Sequence, residues 1–238
     1  MANWITHMMI ADRILALFPS LDARGFCVGS IAPDCNIENE TWTAFTPPRE
    51  VTHWMQGHRK TASDCDRFRE EYLIPHLEKS ASDEESAFLL GYYAHLIADA
   101  EFQRFIRDEE RVRAVWRRIR ADETICEKAS SLPETWDSVK QLIPRDRRMK
   151  EIDRIEAEYL NTHPGTAYFT VILPLNDFPD YLDFLPSGSI VRKIRVMGRL
   201  PDPCEDTPLI SISGEEYAAY THRCTVLVQE ALESVFRP

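Results

Sequence analysis

Apolar residues recur at helical spacing along most of the chain. In residues 83–107 the apolar positions fall three or four residues apart, and Ser82 with Glu85 has the form of a helix-starting capping box. Residues 213–236 repeat this pattern, with Ser213 and Glu216 as the box. The pattern also predicts helices at 4–18, 50–59, 63–78, 108–128, 134–142 and 146–161. These segments predict an all-α fold, a single multi-helix bundle.

Two segments interrupt the helical pattern. Residues 25–49 are rich in Gly, Pro and Asn and are expected to form a long loop. Residues 164–188 hold a β-branched run cut by prolines, which predicts a second long loop or a short extended connection over the bundle. The chain could be divided near Pro164, but the amphipathic last helix needs a core to bury against. We therefore expect one domain over residues 1–238.

Charge and composition narrow the possible partners and the location. The chain has 39 acidic and 28 basic residues, so stable nucleic-acid binding is not expected. No stretch approaches the roughly 18 apolar residues of a membrane span, which predicts no transmembrane segment. The first residues do not have the pattern of an export signal, and the six cysteines include no CxxC pair. These features favour a cytoplasmic protein with reduced thiols.

The run GYYAHLIADAEF places an imidazole and a carboxylate on the buried side of a predicted helix. His95 and Asp99 are four residues apart, so their side chains lie on one helix face. A nitrogen and an oxygen donor can then converge on a divalent metal. The ordinary alternative for an isolated HxxxD pair is a His–Asp ion pair in the core.

Three further ligand-type residues lie in apolar or turn contexts. His7 shares the apolar stripe of the first helix, Asp34 follows a proline in a turn, and His53 precedes a tryptophan. Each has an ordinary alternative, respectively a buried structural histidine, a capping aspartate and a surface histidine. Together with His95 and Asp99 they form a nitrogen and oxygen set that suits zinc in a buried site.

Four fragments carry a resemblance to a known family. WITHMMIADRIL, FCVGSIAPDCN, VTHW and FLLGYYAHLIADAEF, in this order and at these separations, resemble the zinc-dependent phospholipase C family, which belongs with the S1/P1-type nucleases. The resemblance covers roughly the first 105 residues. It implies a helical bundle holding a zinc cluster that hydrolyses phosphate esters. It further implies that Asp34, His53, His95 and Asp99 surround one zinc, with Asp99 bridging to a second zinc held partly by His7.

The chain departs from the family pattern in two places. The secreted phospholipases begin with a tryptophan whose amino terminus binds zinc, whereas Trp4 follows three other residues here. The family's third zinc uses an HxxxE pair, and no histidine of this chain has Glu four residues later. At most two metals are therefore expected, with His58 as a reserve ligand.

These observations predict a zinc-dependent phosphoric ester hydrolase of the phospholipase C type. A metal-activated water would attack a small phosphate ester or a phospholipid, with Asp34 orienting that water. The alternative is a helical scaffold or interaction protein with a degenerate structural metal site. A hydrolase of the HD-domain type ranks lower, because the chain has no contiguous His-Asp dipeptide. A bundle of this size is also a candidate homodimer.

Overall fold

The computed structural model describes residues 3–55, 62–80, 82–201 and 208–236. Its α-helices, in chain order, are α1 (Trp4–Leu17), α2 (Ala23–Gly29), α3 (Arg49–Thr52), α4 (Cys65–Phe68), α5 (Ile74–Leu77), α6 (Asp83–Phe105), α7 (Glu109–Ala121), α8 (Cys126–Ala129), α9 (Trp136–Leu142), α10 (Arg145–Thr162), α11 (Ser189–Met197) and α12 (Gly214–Phe236). In the described residues the strands are β1 (Ile37–Glu38) and β2 (Phe45–Thr46), a short antiparallel hairpin. The predicted all-α class is confirmed.

The two strongest helix predictions are confirmed at their first residues. The Ser82 hydroxyl accepts the backbone N–H of Glu85 at 3.1 Å, which caps α6. At α12 the box is reciprocal, because Ser213 accepts from the Glu216 N–H and donates its own N–H to the Glu216 carboxylate, both at 3.1 Å. These contacts satisfy backbone donors that a helix start leaves without an internal partner.

The remaining predicted helices are present with changed bounds. The helix predicted at 63–78 is one continuous run from Cys65 to Leu77, in which a π-helical turn, Arg69–Leu73, joins α4 to α5. The segment predicted at 108–128 is two helices, since α7 ends at Ala121 and α8 begins at Cys126. The helix predicted at 50–59 begins as α3, but residues 56–59 lie outside the described residues, as does His58.

Both long loops contain helical structure that the sequence pattern did not indicate. Residues 25–29 belong to α2 and Ala32–Asp34 form a 3₁₀ turn, so the expected loop begins later than residue 25. In the second segment, Tyr168–Ile172 form a π-helical turn where an extended piece was possible. Directly after this second segment, α11 covers residues to which the sequence analysis assigned no element.

The chain divides into two compact units. The first contains Met1–Glu101, Gly165–Arg199 and His222–Pro238, and the second contains Phe102–Pro164 and Leu200–Thr221. The single-domain expectation stays a prediction. In the second unit, buried side chains of α7, α8, α9 and the segments beside helices form one cluster: Val112, Val115, Trp116, Ile119, Ile125, Ala129, Val139, Ile143 and Ile210. Across the described residues, no helix combines the length and apolar character that spanning a bilayer requires.

Close packing of α2 on α6 organises the first unit. A Cβ added at Gly29 would overlap the carbonyl oxygen of Phe88, and one added at Gly91 would overlap that of Phe26. Both positions therefore require glycine, because the two backbones are already in contact there. This contact sets α6 against the end of α2, where Ser30 follows.

Ion pairs fix the hairpin and α11 in the same unit. The Glu38 carboxylate contacts Arg192 at 2.6 Å and also pairs with the buried ammonium of Lys193. The Arg192 hydrogen bond is the largest of the influences that lower the pKa of Glu38 to about 2. The buried lysine is thus paired, as a buried charge requires.

The α2–α6 contact leads to a stability prediction. Gly29→Ala should lower the free energy of unfolding by about 1–3 kcal/mol, because the added methyl must push one helix away from the other. Gly165→Ala is the matched control, since nothing lies within 4 Å of its added Cβ. Thermal and urea unfolding of both variants measure the difference, and equal stability would contradict the packing argument.

Candidate metal centre

The structure brings all five predicted ligand residues together in the first unit. His7 lies on α1, Asp34 ends the 3₁₀ turn, His53 directly follows α3, and His95 and Asp99 lie on α6. The three histidine side chains are almost completely buried, whereas 12% of the Asp34 side chain and 8% of the Asp99 side chain are exposed. The carboxylates therefore lie on the more accessible side of the site.

The five residues form two overlapping donor groups. In one group His7, His95 and Asp99 each place a ligand atom within 4.8 Å of the others, and in the second Asp34, His53 and His95 do the same. His95 belongs to both groups. The resemblance assigns the bridging position to Asp99, whose Oδ2 lies 3.6 Å from Nε2 of His53 in the second group. Each group offers the mixed nitrogen and oxygen donors that a zinc ion accepts.

Hydrogen bonds outside the two groups orient two of the imidazoles. Nδ1 of His95 donates to the backbone carbonyl of Ser30 at 2.8 Å, so its Nε2 carries the lone pair. The Thr52 hydroxyl donates to the Arg49 carbonyl at 3.3 Å and lies 2.9 Å from Nδ1 of His53. These contacts orient both rings so that their Nε2 atoms lie 3.4 Å apart in the site.

The ring planes and the backbone around His53 are also held in place. The rings of His7 and His95 stack with centroids 3.9 Å apart and planes 8° from parallel. The hydroxyl of Tyr92, on α6, donates to the carbonyl of Thr52 beside His53. Trp54, the next residue, adopts a left-handed backbone conformation with φ of 52°, which is unusual for a bulky side chain. The chain thus turns away sharply after placing His53.

The site favours the protonation states that bind metal. Burial, followed by the nearby His95, lowers the pKa of His7 to about 3, and burial lowers the pKa of His53. Burial alone would raise the pKa of both carboxyls. Contacts with His53 and positive charge on neighbouring groups outweigh it and hold the pKa values of Asp34 and Asp99 well below the ordinary range. At neutral pH His7 is neutral and both aspartates are ionised, as ligation requires.

The hydrogen bonding of the candidate ligand atoms indicates whether these residues suit a metal. Nε2 of His7 is buried without a hydrogen-bond partner, and the nearest carboxylate oxygen, Oδ1 of Asp99, lies 3.8 Å away. A buried polar atom without a partner costs free energy, so such atoms are rare. A cation at this position would satisfy His7 and Asp99 together. The donor set fits zinc, because calcium and magnesium prefer oxygen ligands.

Arg49 is a residue of the site that the sequence analysis missed. Its Nη2 donates to Oδ2 of Asp99 at 2.8 Å, and its Nη1 lies 3.5 Å from Oδ1 of Asp34. Arg49 lies in the segment interpreted as a loop, and nothing in its sequence context distinguishes it from other arginines. The role of the Ser30 carbonyl could not be predicted either, because every residue has a backbone carbonyl and its contacts depend on the fold.

Comparison with known proteins agrees with this geometry. Residues 6–101 match the family model described as zinc dependent phospholipase C. The matched range contains all five residues of the two donor groups, and it confirms the resemblance seen in the four sequence fragments. No curated protein and no solved structure matches the chain.

The two donor groups predict a pattern of metal loss. His95→Ala removes the residue that both groups share, so it should lose more zinc than His7→Ala or His53→Ala, which each alter one group. His222→Ala is the control, because His222 is exposed on α12 and should keep the wild-type content. Inductively coupled plasma mass spectrometry of zinc-supplied, desalted protein measures the ratio. Wild-type zinc content in His95→Ala would contradict the assignment.

Proposed function

Because residues 6–101 match the family model described as zinc dependent phospholipase C, we propose that this protein is a zinc-dependent hydrolase that cleaves a phosphate ester. The observation that carries the proposal is the pair of donor groups that share His95, with carboxylates on the accessible side. Phospholipid is the substrate that the family suggests. The chemistry of the site requires only the phosphate ester.

The proposed ligands are His7, His53, His95, Asp34 and Asp99, holding one or two zinc ions. A bound zinc ion supplies a Lewis acid that acidifies water and stabilises negative charge on phosphate oxygens. The contribution of the chain is to hold His95 in one tautomer through Ser30, to orient His53 through Thr52 and to keep the imidazoles away from solvent. This arrangement needs little reorganisation when substrate arrives, which lowers the barrier to reaction.

Asp34 is the proposed residue that orients the attacking water. Its carboxylate is more exposed than that of Asp99, and it ends a 3₁₀ turn that begins with Ala32 and Pro33. Oδ1 of Asp34 lies 3.3 Å from Nε2 of His53 and 3.5 Å from Nη1 of Arg49. An ionised carboxylate in this position can accept a hydrogen bond from water at the accessible side of the site and so orient it.

A structural metal site is the second candidate, and burial is the observation that favours it. The side chains of His7, His53 and His95 are each 1% exposed or less, as in metal sites that hold a fold together. In that case the protein would be a scaffold or interaction protein, and zinc would contribute to stability without turnover. The expected cytoplasmic location and homodimer stay predictions under either function.

A hydrolysis assay distinguishes the zinc-dependent hydrolase from the structural metal site. The zinc-loaded protein should hydrolyse bis-p-nitrophenyl phosphate, and activity should disappear with a chelator and return with zinc. His95→Ala should lower the rate at least a hundredfold, because it removes a donor from both groups, while His222→Ala should keep full activity. Release of p-nitrophenol measures the rate, and circular dichroism checks that both variants keep their helices.

Metal removal supplies the complementary measurement. Under the proposed function, chelation abolishes turnover whether or not it changes the melting temperature. Under the structural alternative, chelation lowers the melting temperature and no phosphate ester is cleaved by the loaded protein. Absence of turnover on both bis-p-nitrophenyl phosphate and a short-chain phosphatidylcholine, at full zinc content, would overturn the proposed function.

A further inference from the structure

Arg49 is a cation placed between the ligand carboxylates and the solvent. Its side chain is 28% exposed, against 12% for Asp34 and 8% for Asp99, while that of His53 is 1% exposed. A molecule that approaches the carboxylates from solvent therefore meets the guanidinium before it meets the imidazoles.

The backbone ties Arg49 to the proposed ligands. It is the first residue of α3, and its carbonyl accepts the backbone N–H of His53 at 2.8 Å and the Thr52 hydroxyl at 3.3 Å. One helical turn thus carries Arg49 at one end and positions His53 at the other. The turn therefore fixes the backbone from which the Arg49 side chain reaches the site.

The contacts of Arg49 leave donors available for an anion. The two contacts with Asp34 and Asp99 use Nη1 and Nη2, and a guanidinium has five N–H donors in a planar fork. Metal at the two donor groups would share the charge of both carboxylates, which weakens their attraction for Arg49. The same fork matches the oxygens of a phosphate group, which arginine binds in a bidentate manner.

We infer that Arg49 binds the phosphate group of the substrate at the accessible side of the metal centre. The inference rests on the proposed function and deepens it, because it assigns a residue to recognition of the phosphate itself. The recognised chemistry is an anionic phosphate, whether in a lipid headgroup or in a small ester. Arg49 then sets substrate affinity, and the proposed metal ligands and Asp34 carry the reaction.

Inorganic phosphate tests the inference without turnover. Zinc-loaded protein, freed of unbound zinc by gel filtration, is titrated with inorganic phosphate by isothermal titration calorimetry. Arg49→Gln should weaken phosphate binding by about ten- to a hundredfold, the usual worth of a hydrogen bond between charged groups. The phosphate affinity of Arg49→Lys should lie between those of the wild type and Arg49→Gln, because lysine keeps the charge but lacks the planar fork of donors.

Arg24→Gln is the matched control. Arg24 also contacts two carboxylates of the first unit, those of Glu84 and Asp177, and its side chain is 36% exposed. Since none of these residues belongs to the two donor groups, Arg24→Gln should bind phosphate as tightly as the wild type. Wild-type phosphate affinity in Arg49→Gln, at equal zinc content, would overturn the inference.

Zinc content and substrate kinetics separate the remaining outcomes. If Arg49→Gln loses zinc, Arg49 only holds the ligands in place and the inference is wrong, while hydrolysis by the wild type would still support the proposed function. If the wild type binds phosphate through Arg49 but hydrolyses no ester, the proposed function fails and the binding role stands.

A last experiment compares a small phosphate ester with a lipid as the source of the phosphate group. Arg49→Gln should raise KM for bis-p-nitrophenyl phosphate and for monomeric dihexanoylphosphatidylcholine by similar factors. An increase for the lipid alone, with unchanged affinity for inorganic phosphate, would mean that Arg49 contacts another part of the lipid, which would overturn the inference.

Discussion

The contact between α2 and α6 is the constraint on which the site depends. Gly25 and Gly29 are four residues apart on α2, and with Gly91 of α6 they bring the two backbones together where no side chain fits. Ser30 follows directly, and its carbonyl is therefore close enough to accept Nδ1–H of His95. The tautomer of His95, and with it the direction of the nitrogen shared by both donor groups, is set by this helix contact.

A second constraint is the charge of the buried centre. Two imidazole Nε2 atoms and two carboxylates converge within a few ångström, and acceptors in such proximity repel one another in a medium of low dielectric. Arg49 supplies positive charge to both carboxylates, but it does not contact Nε2 of His7, which is left without a partner. The fold therefore holds these residues in an arrangement that a further cation would satisfy.

The sequence predicted the candidate metal-ligand residues better than the groups that orient them. His95 and Asp99 could be found because α-helical spacing fixes the relation of residues four apart, and both strong capping boxes marked real helix starts. The helix α2 was missed because glycine disfavours helices and suggests a loop, although here glycine is what permits the close helix contact. Arg49 and the Ser30 carbonyl were missed because their roles depend on long-range packing. No local pattern distinguishes an arginine that faces two carboxylates from one that faces solvent.

The family match and the first compact unit do not cover the same residues. The family match ends at residue 101, yet the unit that contains the centre also includes Gly165–Arg199, which the match does not cover. These later residues reach the centre's surroundings through the hairpin, because Glu38 pairs with Arg192 and Lys193 of α11. The hairpin lies in the chain between Asp34 and Arg49, so α11 holds the connection from a proposed metal ligand to the proposed phosphate-binding residue. The donor atoms thus come from the matched segment, while the connection between Asp34 and Arg49 is held by residues outside the match.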